Sequence, residues 1–161
     1  MIKPLLVVIA IGAGFGLIVP RHKPAPPAAA DAVTAPAADG APRDTVLEKR
    51  YNGHFYVDAK VNGELVNFVV DTGATVVALT IDDARRIGIP FDENRFSVVA
   101  EGASGPVRRQ NIKIASVSID GKTAMDIDGA VLEGLGTSLL GQAYLSRISS
   151  VQMAGDYMTL K

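Results

Sequence analysis

Apolar residues recur at every second position through much of the chain. Phe55, Val57, Ala59 and Val61 alternate with His54, Tyr56, Asp58 and Lys60, the period of a half-buried strand. Asn62-Gly63 then supplies a tight hairpin turn, and residues 65–70 read as a second, more fully buried strand. Beyond Asp71-Thr72-Gly73, residues 75–79 form another apolar run of strand length. One short helix is predicted next: Thr80 caps it with Asp83 three residues on, Ala84 and Ile87 make its apolar face, and Gly88 and Pro90 stop it. Residues 96–100 and 107–112 are strands around the glycine-rich hairpin tip Glu101-Gly102-Ala103-Ser104-Gly105. Ile112 and Ile114 share one parity, Val117 and Ile119 the other, which predicts a bulge near Ala115-Ser116. Asp120-Gly121 turns the chain again. Residues 139–148 hold a second helical stretch, and residues 151–153 and 157–160 close the domain as strands about Gly155. Short strands, frequent turns and two brief helices predict an all-β fold, a small barrel or sandwich.

The first part of the chain obeys another rule. Residues 5–19 are an uncharged run between Lys3 and the Pro20-Arg21-His22-Lys23 segment. Counted from Met1, the first 19 residues carry a single charge, the lower end of what spans a bilayer, whereas a signal-peptide core is typically about 7–15 residues. Arg21 and Lys23 stand where a small, neutral cleavage region belongs, so residues 1–20 are expected to be an N-terminal membrane anchor, with a cleaved signal peptide as the alternative. The glycines of Gly12-Ala13-Gly14-Phe15-Gly16 lie inside this run without strand–turn–helix context, so they are small membrane residues and not a nucleotide loop. Residues 20–44 carry six of the nine prolines and many alanines, a composition that buries little and stays extended. Residues 21–44 are therefore expected to be a linker and residues 45–161 the folded domain. A lone N-terminal span usually exports the rest of its chain, which predicts an inner-membrane protein with its domain on the periplasmic side.

Composition narrows the chemistry. Sixteen Lys+Arg against seventeen Asp+Glu give a net charge of −1, which speaks against nucleic acid as a partner. The absence of cysteine removes disulfides, thiol catalysis and cysteine metal sites. With two histidines, His22 and His54, a histidine triad or multi-histidine metal site lacks material. Carboxylates remain. Asp82-Asp83 and Asp92-Glu93 fit helix starts and loops. Asp126 and Asp128 share a strand face but lack EF-hand spacing, so no metal or other cofactor is expected.

Asp71 differs from these because Phe68-Val69-Val70 precedes it and Val76-Val77-Ala78-Leu79 lies beyond. A carboxylate between two buried strands is costly unless its charge is used or satisfied. The segment Phe68-Val69-Val70-Asp71-Thr72-Gly73-Ala74-Thr75 resembles the active-site strand and loop of retropepsin-like aspartic proteases. Leu139-Leu140-Gly141 before a short helix is similar to that family's apolar-apolar-glycine element, and the tip at 101–105 lies between the two, where the family keeps its flap. The membrane segment and Pro/Ala stalk resemble the bacterial single-domain members.

The resemblance implies a retropepsin-like barrel with one or two short helices, completed as a symmetric homodimer. It also implies an aspartic endopeptidase acting on extended peptide or protein segments with apolar side chains beside the cut bond. Asp71 would be the catalytic carboxylate. The chain has one Asp-Thr-Gly, and a proton-sharing pair of carboxylates needs two, so a second Asp71 would come from an identical subunit. Thr72 would bond across to the opposite loop, and Gly73 would let its N–H approach the carboxylates. Ala74, Gly102, Ala103, Ser104 and Gly105 would contact substrate, the last four as the flap tip. Many relatives carry Ser or Thr where Ala74 stands. Without that hydroxyl donor, activity is expected nearer neutral pH. Glu101 and Arg108-Arg109 beside the tip read as solvated charges, and His54 as a surface residue. The competing reading is a non-catalytic β-barrel dimerisation or binding module that keeps the fold; a cleaved, secreted form of the enzyme is a further variant.

Overall fold

A computed structural model describes residues 41–102 and 105–161. The expected N-terminal span, most of the Pro/Ala linker and the tip residues Ala103 and Ser104 lie outside the described residues. Among the described residues no helix is long and apolar enough to cross a membrane.

The chain runs β1 (Thr45–Glu48), β2 (Tyr56–Val61), β3 (Glu64–Val70), β4 (Val77–Thr80), α1 (Ile81–Arg86), β5 (Ser97–Gly102), β6 (Gly105–Ile119), β7 (Lys122–Leu132), β8 (Ser138–Leu140), α2 (Gln142–Leu145), β9 (Val151–Ala154) and β10 (Tyr157–Leu160). The all-β class with two short helices is as expected. One sheet has the order β2-β3-β8-β4-β7-β6-β5, and a further pairing of β2 with β6 closes it into a barrel that leaves β5 at the edge. A second, three-stranded sheet has the order β1-β10-β9.

Alternation decides which face each strand buries. Val57, Ala59 and Val61 of β2 and Val66, Phe68 and Val70 of β3 point into the core with Ile114, Ile127, Leu140 and Tyr144. The hairpin between β2 and β3 turns on Asn62 (φ 51°) and Gly63 (φ 94°), the left-handed pair that a tight two-residue turn requires. β3 is less buried than its composition suggests. Leu65 is 59% exposed and Asn67 faces solvent, because only one face of this strand meets the core.

The expected bulge takes another form. β6 and β7 keep their register on both sides of Ala115, with Ile114 opposite Ile127 and Ser116 opposite Met125. No residue is inserted. Asp126, opposite Ala115, adopts φ 52°, and both strands exchange inner and outer faces together: Ile114 and Val117 are buried on β6, Ala124 and Ile127 on β7. Arg147 steadies the kink by donating to the carbonyls of Met125 (2.7 Å) and Asp126 (3.4 Å). Beyond the kink β6 pairs with β2, so this change of face is what lets the sheet close.

The segment before β1 is held to the domain. Arg43 N–H donates to the Asp120 carbonyl at 2.9 Å, and the Lys122 ammonium donates to the Arg43 carbonyl and to Thr45 Oγ1. Lys122 is 6% exposed, and burial pushes its ammonium below the usual lysine range, against the pull of Asp120 and Asp44. Its own carbonyl accepts from the Tyr144 hydroxyl at 2.7 Å, and burial pushes that phenol up to about 12.

Candidate active site

The strand order places four elements in an interleaved set. β8 lies between β3 and β4, parallel to β3 and antiparallel to β4, and β4 in turn lies between β8 and β7. The loop from β3 to β4 must therefore pass over the end of β8. Asp71 begins that loop, half-buried, with Thr72 and Gly73 exposed beyond it.

β8 and the start of α2 hold the loop from below. Asp71 N–H donates to the Leu140 carbonyl at 3.0 Å. Gln142 N–H donates to the Ala74 carbonyl (2.8 Å), Ala143 N–H to the Thr75 carbonyl (2.9 Å), and the Gln142 side-chain amide to the Thr72 carbonyl (2.9 Å). Gly141 stands where these bonds converge. A Cβ on it would sit 2.2 Å from the Val76 carbonyl oxygen and 2.6 Å from that of Ala74, both backbone atoms that cannot yield. The Leu139-Leu140-Gly141 sequence is thus explained by contact: two residues continue the sheet, and the third has no side chain because the Asp71 loop occupies its space.

Within the loop, Gly73 N–H donates to Asp71 Oδ1 at 2.9 Å, and Ala74 N–H to the Asp71 carbonyl at 3.3 Å. A Cβ on Gly73 would lie 3.3 Å from Asp71 Oδ1, so glycine permits the approach. Oδ2 of Asp71 has no partner among the described residues. A carboxyl group with one oxygen fixed by a backbone donor can accept a proton from water when ionised, or donate one to a bound carbonyl when protonated.

Asp71, Thr72, Gly73 and Ala74 are therefore together on one short loop. Gly102 and Gly105 face each other at the end of the β5–β6 hairpin, whose edges pair from Ser97–Arg109 to Gly102–Gly105 with an irregularity between Val98 and Ala100. That hairpin belongs to the sheet edge, away from the loop in strand order. A groove of about 620 Å³ runs between the loop and the body of β6, with Thr75, Val76 and Gln142 on the loop side and Arg109 and Lys113 on β6. Arg108 and Arg109 are not the solvated pair the sequence suggests. Arg108 bonds Glu133 (2.8 Å) and the Phe96 carbonyl (3.3 Å), while Arg109 is partly buried in the groove. Sequence reasoning also passed over Gln142; its position directly after Leu139-Leu140-Gly141 is the signal that could have found it.

Asp128 pairs with Lys113 at 2.6 Å, and this hydrogen bond holds its carboxyl below the usual range. Asp126 carries the kink. Among the described residues no group of three or more histidines or carboxylates could hold a metal ion.

The family model described as "gag-polyprotein putative aspartyl protease" matches residues 57–147, from β2 to the end of α2. The crystal structure of a retropepsin-like aspartic protease from Rickettsia conorii is similar at TM-score 0.61 and 34% identity, covering 73% of this chain and 89% of that one. The EIAV protease complexed with an inhibitor matches at TM-score 0.51 and 17% identity, over 65% of this chain and 97% of that one, a likeness of fold alone. Uncharacterized proteins of Sinorhizobium sp and Rickettsia prowazekii (strain Madrid E) are 35% and 33% identical over 121 and 118 residues, 74% and 73% of this chain. The chain spans about half the length of these curated relatives, 52% and 51%. The matched region contains both the Asp71 loop and the strands that hold it, and on this ground the chain belongs to the retropepsin-like aspartic proteases.

Proposed function

We propose that the protein is an aspartic endopeptidase that works as a homodimer. One observation carries this reading: Asp71 sits on a loop held from beneath by four hydrogen bonds, with one carboxylate oxygen fixed by Gly73 N–H and the other free. So much backbone order around an accessible carboxylate serves chemistry better than it serves a turn.

Two such loops facing across a two-fold axis bring two Asp71 carboxyls together, and near neighbours of like charge share one proton. The ionised member takes a proton from water as the water oxygen attacks the scissile carbonyl carbon. The protonated member gives its proton to the carbonyl oxygen. As the tetrahedral intermediate collapses, the C–N bond breaks, the leaving nitrogen takes the proton that the first carboxyl had drawn from water, and a hydroxyl of the intermediate returns its proton to the second carboxylate, which restores the shared-proton pair. Thr72 is exposed at the loop tip, where it can reach a second copy. Val46 (63% exposed) and Tyr157 (53%) leave apolar surface on one face of the three-stranded sheet, which also favours a second copy. The β5–β6 hairpin, with Gly102 to Gly105 at its tip, covers an extended peptide and bonds its backbone. The apolar run at 5–19 ties the domain to the inner membrane, and residues 21–44 space it from the bilayer on the periplasmic side.

The test is cleavage of a mixed peptide library by the full chain beside Asp71→Asn, over a range of pH and protein concentration. The expected result is cleavage that rises more than linearly with concentration and disappears in Asp71→Asn. Absence of cleavage by a folded dimer points instead to the non-catalytic binding module.

A further inference from the structure

The groove beside the Asp71 loop is lined on its loop side by uncharged residues, Thr75 and Gln142 among them. On β6 and β7 it meets Lys113 and Asp128, which neutralise each other at 2.6 Å. Arg109 is left. Its neighbour Arg108 is committed to Glu133 and the Phe96 carbonyl. Arg109 has no carboxylate partner among the described residues, and its Nε–H is buried without a hydrogen-bond acceptor among them. Folded proteins rarely leave a buried donor unmatched unless something else matches it. A guanidinium presents parallel N–H groups, and the acceptor that fits them best is a carboxylate binding through both oxygens.

We propose that Arg109 is a specificity-determining residue, receiving an acidic side chain of the substrate peptide in the groove that begins at Thr75 and Gln142. This rests on the endopeptidase reading for its substrate, and it narrows that substrate to extended segments with Glu or Asp at a fixed distance on either side of the cut bond, since a symmetric dimer presents Arg109 twice. The apolar contacts beside the cut bond set where the chain is cleaved; the acidic side chain sets which segments are held.

The test is binding to the full chain carrying Asp71→Asn, which holds peptides without cutting them. The probes are fluorescent ten-residue neutral peptides in which a single Glu, or a single Gln, is moved through every position. Glu at either position facing an Arg109 is expected to tighten binding about tenfold over Gln, the worth of a charge-assisted hydrogen bond, and to shift the Arg109 Nε–H resonance in the NMR spectrum. Arg109→Gln removes the preference, and Arg109→Glu transfers it to peptides carrying Lys at the same positions. The proposal is overturned if Glu binds no better than Gln at every position, or if the preference survives in a folded Arg109→Gln chain. Cleavage by the chain with Asp71 intact is measured in parallel, so a failed endopeptidase reading is seen separately from a failed preference.

Discussion

Two residues shape the surroundings of the Asp71 carboxyl, and both do so by lacking atoms. Gly141 leaves room for the carbonyls of Ala74 and Val76. Gly141→Ala would place a methyl group inside the van der Waals radius of both, forcing the loop off its hydrogen bonds. The expected cost is about 1–3 kcal/mol in denaturant unfolding, and the proposed peptidase activity is expected to be lost even where the chain still folds. Ala74 carries no donor that could reach the Asp71 carboxyl. Ala74→Ser supplies a hydroxyl beside it, which favours the charged form and moves the acid limb of the pH–rate profile to lower pH; an unmoved limb would refute this role for position 74. Asp71 was legible in the sequence because a charged residue between two apolar runs breaks the pattern. Arg109 was not. A lone arginine on an alternating strand looks like any solvated charge, and its burial depends on a groove built from residues far away in sequence.

At the scale of elements, α1 owes its position to one carboxylate. Thr80 Oγ1 accepts from Asp83 N–H at 3.0 Å, while the Asp83 carboxylate accepts from Ser138 Oγ at 2.6 Å and from Arg86 at 2.7 Å, linking the helix to β8. Burial alone would raise the Asp83 pKa, but the bonds from Ser138, Arg86 and Thr80 hold it below its ordinary 3.8. A carboxyl whose folded pKa is depressed contributes stability above its unfolded pKa and loses it as pH falls through the folded one. Asp83→Asn should therefore cost about 1–2 kcal/mol at pH 7, and urea melts should show the gap to the parent closing below about pH 3.8. The helix itself was readable from Thr80, Asp83 and Gly88. β8 was hidden, since three residues leading straight into a helix show no period of two. The kink in β6 and β7 was half-visible: parity on one strand reveals a change of face, but only the partner strand reveals that both change together.

For the whole molecule, the proposed site is assembled from two chains, and its population tracks the dimer. Doubling protein concentration well below the dimer's dissociation constant should raise the rate about fourfold, and joining two copies by a flexible linker should make the rate linear in concentration. A rate that is linear for the unlinked protein over a wide dilution range would remove the two-chain site. The interleaving of β3, β8, β4 and β7 has its own consequence in time. Thr72 and the Gln142 amide that holds it are 70 residues apart. A ribosome synthesising this chain has delivered Asp71 long before the strand that supports it, and closing so long a loop is slow. The Asp71 loop thus takes its shape only after β8 and α2 have emerged, and a chain that stops before β8 lacks the carbonyl of Leu140 and the Gln142 donors that hold the loop.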